Sequence, residues 1–114
     1  MSYRIAVAST DGKVINIHFG RADKFLVFEV EDSTYHFIEL RSSNPPCFDF
    51  QHEQSVMDAA VDILSDCEAV FALRIGPGAA RALIMRGIRP FEAGCFIEDA
   101  IKKYIELKSD SESQ

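Results

Sequence analysis

Tyr3 to Ser9, YRIAVAS, is a short β-branched run that is apolar at almost every position. A strand with one wet face alternates; a run without alternation fits a strand covered on both faces. Lys24 to Val30, KFLVFEV, reads as a second strand and Tyr35 to Arg41, YHFIELR, as a third. In the third, Ile38 and Leu40 fall on one face and Glu39 and Arg41 on the other. The polar link Glu31-Asp32-Ser33-Thr34 is short enough for a hairpin. Between the first two strands Asp11-Gly12-Lys13 marks a turn, and Val14 to Ala22 has no regular period. Ser42 to Phe50 is the longest loop, where Pro45 and Pro46 exclude helix and central strand.

From about Glu53 the period becomes helical. Val56, Ala59, Ala60, Ile63 and Leu64 form one amphipathic stripe, which Cys67 continues into the core. Glu68 to Ile75, EAVFALRI, predicts a fourth, central strand. Gly76-Pro77-Gly78 opens a helix over Ala79 to Arg86. Proline suits a first helical turn, and Gly87 provides the stop. Ile88 to Ala93 reads as a fifth strand. Ile97, Ala100, Ile101, Tyr104 and Ile105 mark a last helix.

The order β-β-β-α-β-α-β-α puts short links between the first three strands, which makes them antiparallel. Helical crossovers make the later strands parallel. The expectation is a ribonuclease-H-like mixed five-stranded sheet, order 3-2-1-4-5, with helices on both faces. Residues 1–108 read as one domain, and the polar end 109–114 as a disordered tail.

Composition narrows the partners. A chain of 114 residues, 47% hydrophobic, is one domain's worth and buries about two-thirds of its unfolded surface without staples. It contains no run of 18 apolar residues, so no membrane span is expected. Its start lacks a secretory layout, which reads as cytoplasmic. The net charge of −6 argues against a general nucleic-acid binder. Cys47, Cys67 and Cys95 form no CxxC pair and read as reduced thiols. Cys95, at the start of the last helix, is either a reactive thiol or, as expected here, buried between the fifth strand and Phe96.

The irregular stretch 14–22 contains His18-Phe19-Gly20-Arg21. One reading makes His18 a turn cap, Phe19 a core anchor and Gly20 a source of positive φ. The other makes His18 a ligand or donor to a bound cluster or anion. Arg21 and Lys24 would then add a positive rim, which favours anionic metal–sulfide clusters. Gly76-Pro77-Gly78 is either a tight strand-to-helix turn or a place where backbone N–H groups hold an anion. Both connections follow neighbouring strands and so fall at one rim of the sheet. Cys47 and His52, spaced C-x4-H, are either plain loop residues or soft co-ligands. A metal-dependent nuclease would need converging carboxylates; Asp11 and Glu29 are isolated, and the fourth strand offers Arg74.

Three stretches carry a resemblance: IAVASTDGKVINIHFGRADKFLVFEV, DILSDCEAVFALRIGPGAARALIMRGIRPF and IEDAIKKY. Over roughly residues 4–107 they resemble the dinitrogenase iron–molybdenum cofactor biosynthesis family, the NifX-like proteins and the C-terminal domain of NifB. The resemblance implies a ribonuclease-H-like fold without nuclease activity. It implies a non-catalytic carrier of iron–sulfur or iron–molybdenum cofactor precursors that works with cluster-assembly proteins. Members in organisms without nitrogenase leave the activity open. The cluster-binding residues expected are His18, Gly20, Arg21, Gly76 and Gly78, with His18, Cys47 and His52 as metal ligands. The carrier is expected to be a monomer or a weak homodimer. The competing reading is a metal-free interaction or regulatory module that docks on a partner or on itself through the third strand's edge or the phenylalanine-bearing loop.

Overall fold

The computed structural model describes residues 2–42 and 59–112. Five strands form one sheet: β1 (Ser2–Val7), β2 (Lys24–Glu31), β3 (Thr34–Ser42), β4 (Ala69–Ala72) and β5 (Arg89–Glu92). Their order is β3-β2-β1-β4-β5. β1 pairs antiparallel with β2 and parallel with β4. β2–β3 is antiparallel and β4–β5 parallel. The helices are α1 (59–62), α2 (Pro77–Met85) and α3 (Ile97–Glu112).

The sheet is covered on both faces, as the unalternating runs of β1 and β4 require. On one face Phe25 and Val27 of β2 meet Val61 and Leu64 near α1 and Leu83 of α2. On the other, Ile5, Val7 and Phe71 pack against Ile97, Ile101 and Tyr104 of α3. Cys67 lies in the first layer, where burial pushes its thiol up to about 12. Among the described residues no helix is long and apolar enough to cross a membrane.

Several expectations need correcting. β4 pairs only over Ala69–Ala72, because the backbone of 73–75 bonds elsewhere, as described below. α2 begins at Pro77 and ends at Met85. There Ile88 N–H reaches Leu83 O and Gly87 N–H reaches Ile84 O, a Schellman stop with Gly87 at φ +78°. Opposite Val27 and Phe28 of β2 the register shifts, so Ile38 enters β3 as one extra residue. Ile38 therefore packs into the α1–α2 layer while Leu40 pairs with Leu26 on the α3 side; the two do not share a face. Near α1, Val61 rather than Ala59 meets the core. α3 continues through Ser109 to Glu112, part of the expected tail. No glycine or proline interrupts the chain there, and Lys108 Nζ holds the Glu68 carboxylate at 2.6 Å.

Asp66 ties β3 and β1 to the start of β4. Its carboxylate takes Arg41 at 2.5 Å and 2.9 Å and Arg4 at 2.6 Å, and Arg41 also donates to Ile63 O at 2.8 Å. The Arg41 guanidinium holds the Asp66 carboxyl well below the usual carboxylate range. A depressed acid stabilises the fold above its unfolded pKa and ceases to do so as pH falls through the folded one. With the Asp66 side chain 40% exposed, solvent screening limits the effect. Asp66→Asn should cost about 1 kcal/mol at pH 7, about 4–6 °C in Tm. It should also flatten the loss of stability between about pH 5 and 2, as followed by thermal unfolding monitored by circular dichroism.

Candidate functional site

The candidate site is built from the chain that leaves β1. Ala8 N–H extends the ladder to Phe71 O at 2.9 Å. The buried Ser9 hydroxyl then donates to Val14 O at 2.6 Å and accepts Gly12 N–H at 3.0 Å. Asp11 Oδ1 accepts the N–H groups of Lys13 and Val14 at 2.9 Å and 3.0 Å. These bonds to its charged form hold the Asp11 carboxyl below its ordinary range. Gly12 sits at φ +75°, which favours glycine. Asn16 brackets the turn: Oδ1 accepts Thr10 N–H at 3.0 Å and Nδ2 donates to Thr10 Oγ1 at 2.8 Å.

Residues 13–19 then cross the rim between two segments. On one side Ile15 N–H bonds Cys95 O at 3.0 Å, and Ile97 N–H bonds Lys13 O at 2.8 Å. On the other, Leu73 N–H bonds Ile17 O at 2.9 Å, and Phe19 N–H bonds Arg74 O at 2.8 Å. The connection after β1 and the connection after β4 are therefore laced together. His18 stands between the two anchored residues, exposed, with extended backbone (φ −69°, ψ 142°) at the N-cap of the 3-10 turn Phe19–Arg21. It makes no side-chain cap bond to that turn. Phe19 is the core anchor, 1% exposed, with its ring 5.5 Å from that of Phe25. Gly20 lies inside a right-handed turn, so a left-handed backbone is not what it supplies. Arg21 closes the turn, exposed, through its N–H to His18 O at 3.0 Å.

Past Arg74, exposed at the same rim, the chain enters the glycine turn. Gly76 caps α2 and Pro77 takes the first helical position. The helix carries neither a side-chain cap nor an acid in its first turn, and its geometry leaves the N–H groups of Gly78 and Ala79 without intrahelical acceptors. A Cβ on Gly76 or Gly78 would meet nothing within 4 Å. Gly76 has an ordinary φ of −62° and Gly78 is helical, so neither glycine is required by the fold itself. Ile75 N–H, just before the turn, donates to Glu92 Oε2 at 2.8 Å.

His18, Gly20, Arg21, Gly76 and Gly78 thus occur on two connections joined at one rim. Lys24 begins β2 at that rim, opposite Ser42, where β3 ends. Cys47 and His52 lie outside the described residues. Among the described residues no three His, Cys, Asp or Glu side chains gather as a metal-holding set. Cys95, expected buried, is exposed. Phe96, expected to cover it, is 59% exposed, because the pairing with residues 13–15 uses only backbone here. Sequence reasoning passed over Arg74, Glu92 and Cys95 as rim residues. The signal for Arg74 was present: it is the one charge near the end of an otherwise apolar strand.

The fold and rim define a small α/β domain whose candidate site lies on loops at the carboxyl ends of its parallel strands. The model of the dinitrogenase iron-molybdenum cofactor family matches residues 1–107, and the chain belongs to that family. It is 33% identical over 100 residues to the FeMo cofactor biosynthesis protein NifB of Frankia alni, covering 85% of this chain and 20% of that protein. It is 32% identical over 90 residues to Protein NifY of Klebsiella pneumoniae, covering 77% and 37%. The chain therefore spans about a fifth and somewhat over a third of these curated relatives. Its fold is similar to the apo form of the orange protein from Desulfovibrio gigas, with a TM-score of 0.63, 18% identity and coverage of 90% and 87%.

Because Gly78 meets no steric or dihedral demand, Gly78→Ala should leave Tm unchanged or raise stability by about 0.4–1 kcal/mol, as alanine does in a helix. Urea unfolding measures this; a loss of more than 1 kcal/mol would mean that the turn needs its glycine structurally.

Proposed function

We propose that this protein is a carrier of an anionic metallocluster, iron–sulfur or iron–molybdenum in composition, held at the rim as cargo for cofactor assembly. The observation that supports the reading is the pair of hydrogen bonds from Leu73 to Ile17 and from Phe19 to Arg74, 2.9 Å and 2.8 Å, which hold the backbone on either side of the exposed His18 against the segment that leads into the glycine turn. His18 supplies a nitrogen ligand, and the N–H groups of Gly78 and Ala79 face the cargo's negative charge. Gly20, Gly76 and Gly78 let it approach the backbone, and Arg21 adds charge. Cys47 and His52 are the co-ligands in this reading. Cys47 follows Ser42 by five residues, within ~17 Å of extended chain.

The overall charge of −6 opposes an anionic cargo, so nearby groups must decide the outcome. Screening over about 8 Å at physiological salt lets them. The reading treats the chain through the end of α3 as one ribonuclease-H-like domain in the cytoplasm, monomeric or weakly dimeric, non-catalytic, handing cargo to cluster-assembly proteins. The NifB and NifY likenesses support the cargo's class, since the former is named for FeMo cofactor biosynthesis.

Anaerobic reconstitution with ferrous iron and sulfide, with and without molybdate, tests it. After desalting, the wild type should retain iron with visible charge-transfer absorption. His18→Ala should retain at least about tenfold less, and Cys47→Ser and His52→Ala should fall in the same direction. Gly78→Ala should lose cargo without losing stability. Equal, negligible metal in wild type and His18→Ala would overturn the reading.

A further inference from the structure

The two outer strands of the sheet, among the described residues, are β5 and β3. β5 is four residues long and contains Pro90, which has no N–H to offer. β3 is nine residues long, with neither proline nor lysine. A long outer strand presents a row of N–H and C=O groups to any strand that can reach them. Tyr35, Phe37 and Leu40 stand on the α3 side of the sheet, opposite Val30, Phe28 and Leu26 of β2. Phe37 meets the Phe28 ring at 5.8 Å, yet it is 49% exposed and Leu40 57%. The turn at 32–33 closes the hairpin on Glu31 and Thr34. Counted from that pair, successive residues of β3 turn their amides alternately to β2 and to the free edge. With Ile38 as the extra residue, the outward ones are Tyr35, Phe37, Leu40 and Ser42.

We propose that β3 pairs antiparallel with β3 of a second copy of this chain, about a two-fold axis at its bulge, joining the two sheets into one. The strand itself supplies the register. A two-fold centred between Ile38 and Glu39 sets Phe37 opposite the second copy's Leu40, and Tyr35 opposite its Ser42. Each pair matches outward amides with outward amides, and the α3 side with the α3 side. A shift of one residue breaks both matches at once. The bulge lies at the middle of the strand, so bulge meets bulge. Phe37 and Leu40 of the two copies then form one apolar cluster across a seam about 30 Å long. On the other face Glu39 and Arg41 bring no unpaired charge to the seam. Arg41 holds Glu39 at 2.9 Å and Asp66 at 2.5 Å within each copy. The β1 strands of the two copies run in opposite directions, which leaves the two rims free at opposite ends of the joined sheet. The pairing stands whether or not a cluster binds there.

Sedimentation velocity of the full chain, over a concentration series up to about 1 mM, tests the pairing. The wild type should gain mass with concentration and stop at a dimer, since a two-fold pairing uses up the edge. Phe37→Lys and Leu40→Glu should each weaken association at least about tenfold. Both side chains are half exposed, so the dilute variants should keep a Tm close to that of the dilute wild type. Leu40→Thr, which retains strand propensity, should weaken association in the same direction. Mixed one to one, Phe37→Lys and Leu40→Glu should associate again, because one facing pair becomes Lys–Glu and the other stays Leu–Phe. A wild type that remains monomeric throughout overturns the proposal and leaves the edge to another protein's strand. Growth past the dimer, or association that none of the substitutions weakens, overturns it as well. A mixture that fails to associate refutes the register.

Discussion

The rim depends on one short length of backbone, residues 13–19, held from both sides. Its N–H and C=O groups bond to Cys95 and Ile97 on one flank and to Leu73 and Arg74 on the other. A segment entering the core cannot leave such groups unpaired without a cost of about 1–3 kcal/mol each. Ile15 and Phe19, each 1% exposed, anchor it from below. Gly94 leaves room for the Leu73 side chain, since a Cβ there would lie 3.0 Å from Leu73 Cδ1. The result is a loop whose backbone is hydrogen-bonded on both flanks, with His18 and Arg21 exposed on it. A binding group held this way loses little freedom when a ligand arrives.

Charge is distributed with the same economy. The Arg4–Asp66–Arg41 cluster joins β1 and β3 to the turn before β4, and Glu68 holds Tyr104 and Lys108 at the amino ends of the parallel strands. These pairings serve packing. At the carboxyl ends His18, Arg21 and Arg74 stand exposed, and Glu92 accepts the N–H of Ile75 just ahead of the glycine turn. The glycines at 76 and 78, free of steric or dihedral need, point the same way. Gly78 gives up helix stability that alanine would supply, a trade found where function asks for space.

Much of this was legible in the sequence because periodicity reports which residues are buried. The strand order, the parallel and antiparallel pairings, and Phe19 as anchor follow from runs of period two and 3.6 and from link lengths. Tertiary hydrogen bonding was not legible. The run LRI reads as more of β4, yet the Leu73 and Ile75 N–H groups bond the 17–19 segment and Glu92 instead. The β3 bulge contains no glycine or proline to announce it. Apolar type also says nothing of direction, so Cys95 and Phe96 were read as buried although only the backbone there is used. Glu92 looks like an ordinary acid at a strand end until the glycine turn is placed beside it.

The connections after β1 and β4 form a single unit in the unliganded protein. Amide hydrogen exchange of the metal-free protein, resolved at Ile15, Phe19, Leu73 and Ile97, measures that directly. The account predicts that all four amides are protected together, at rates close to those of Ala6 and Val70 in the central strands. Exchange as fast as at the exposed hairpin tip around Ser33 would contradict it.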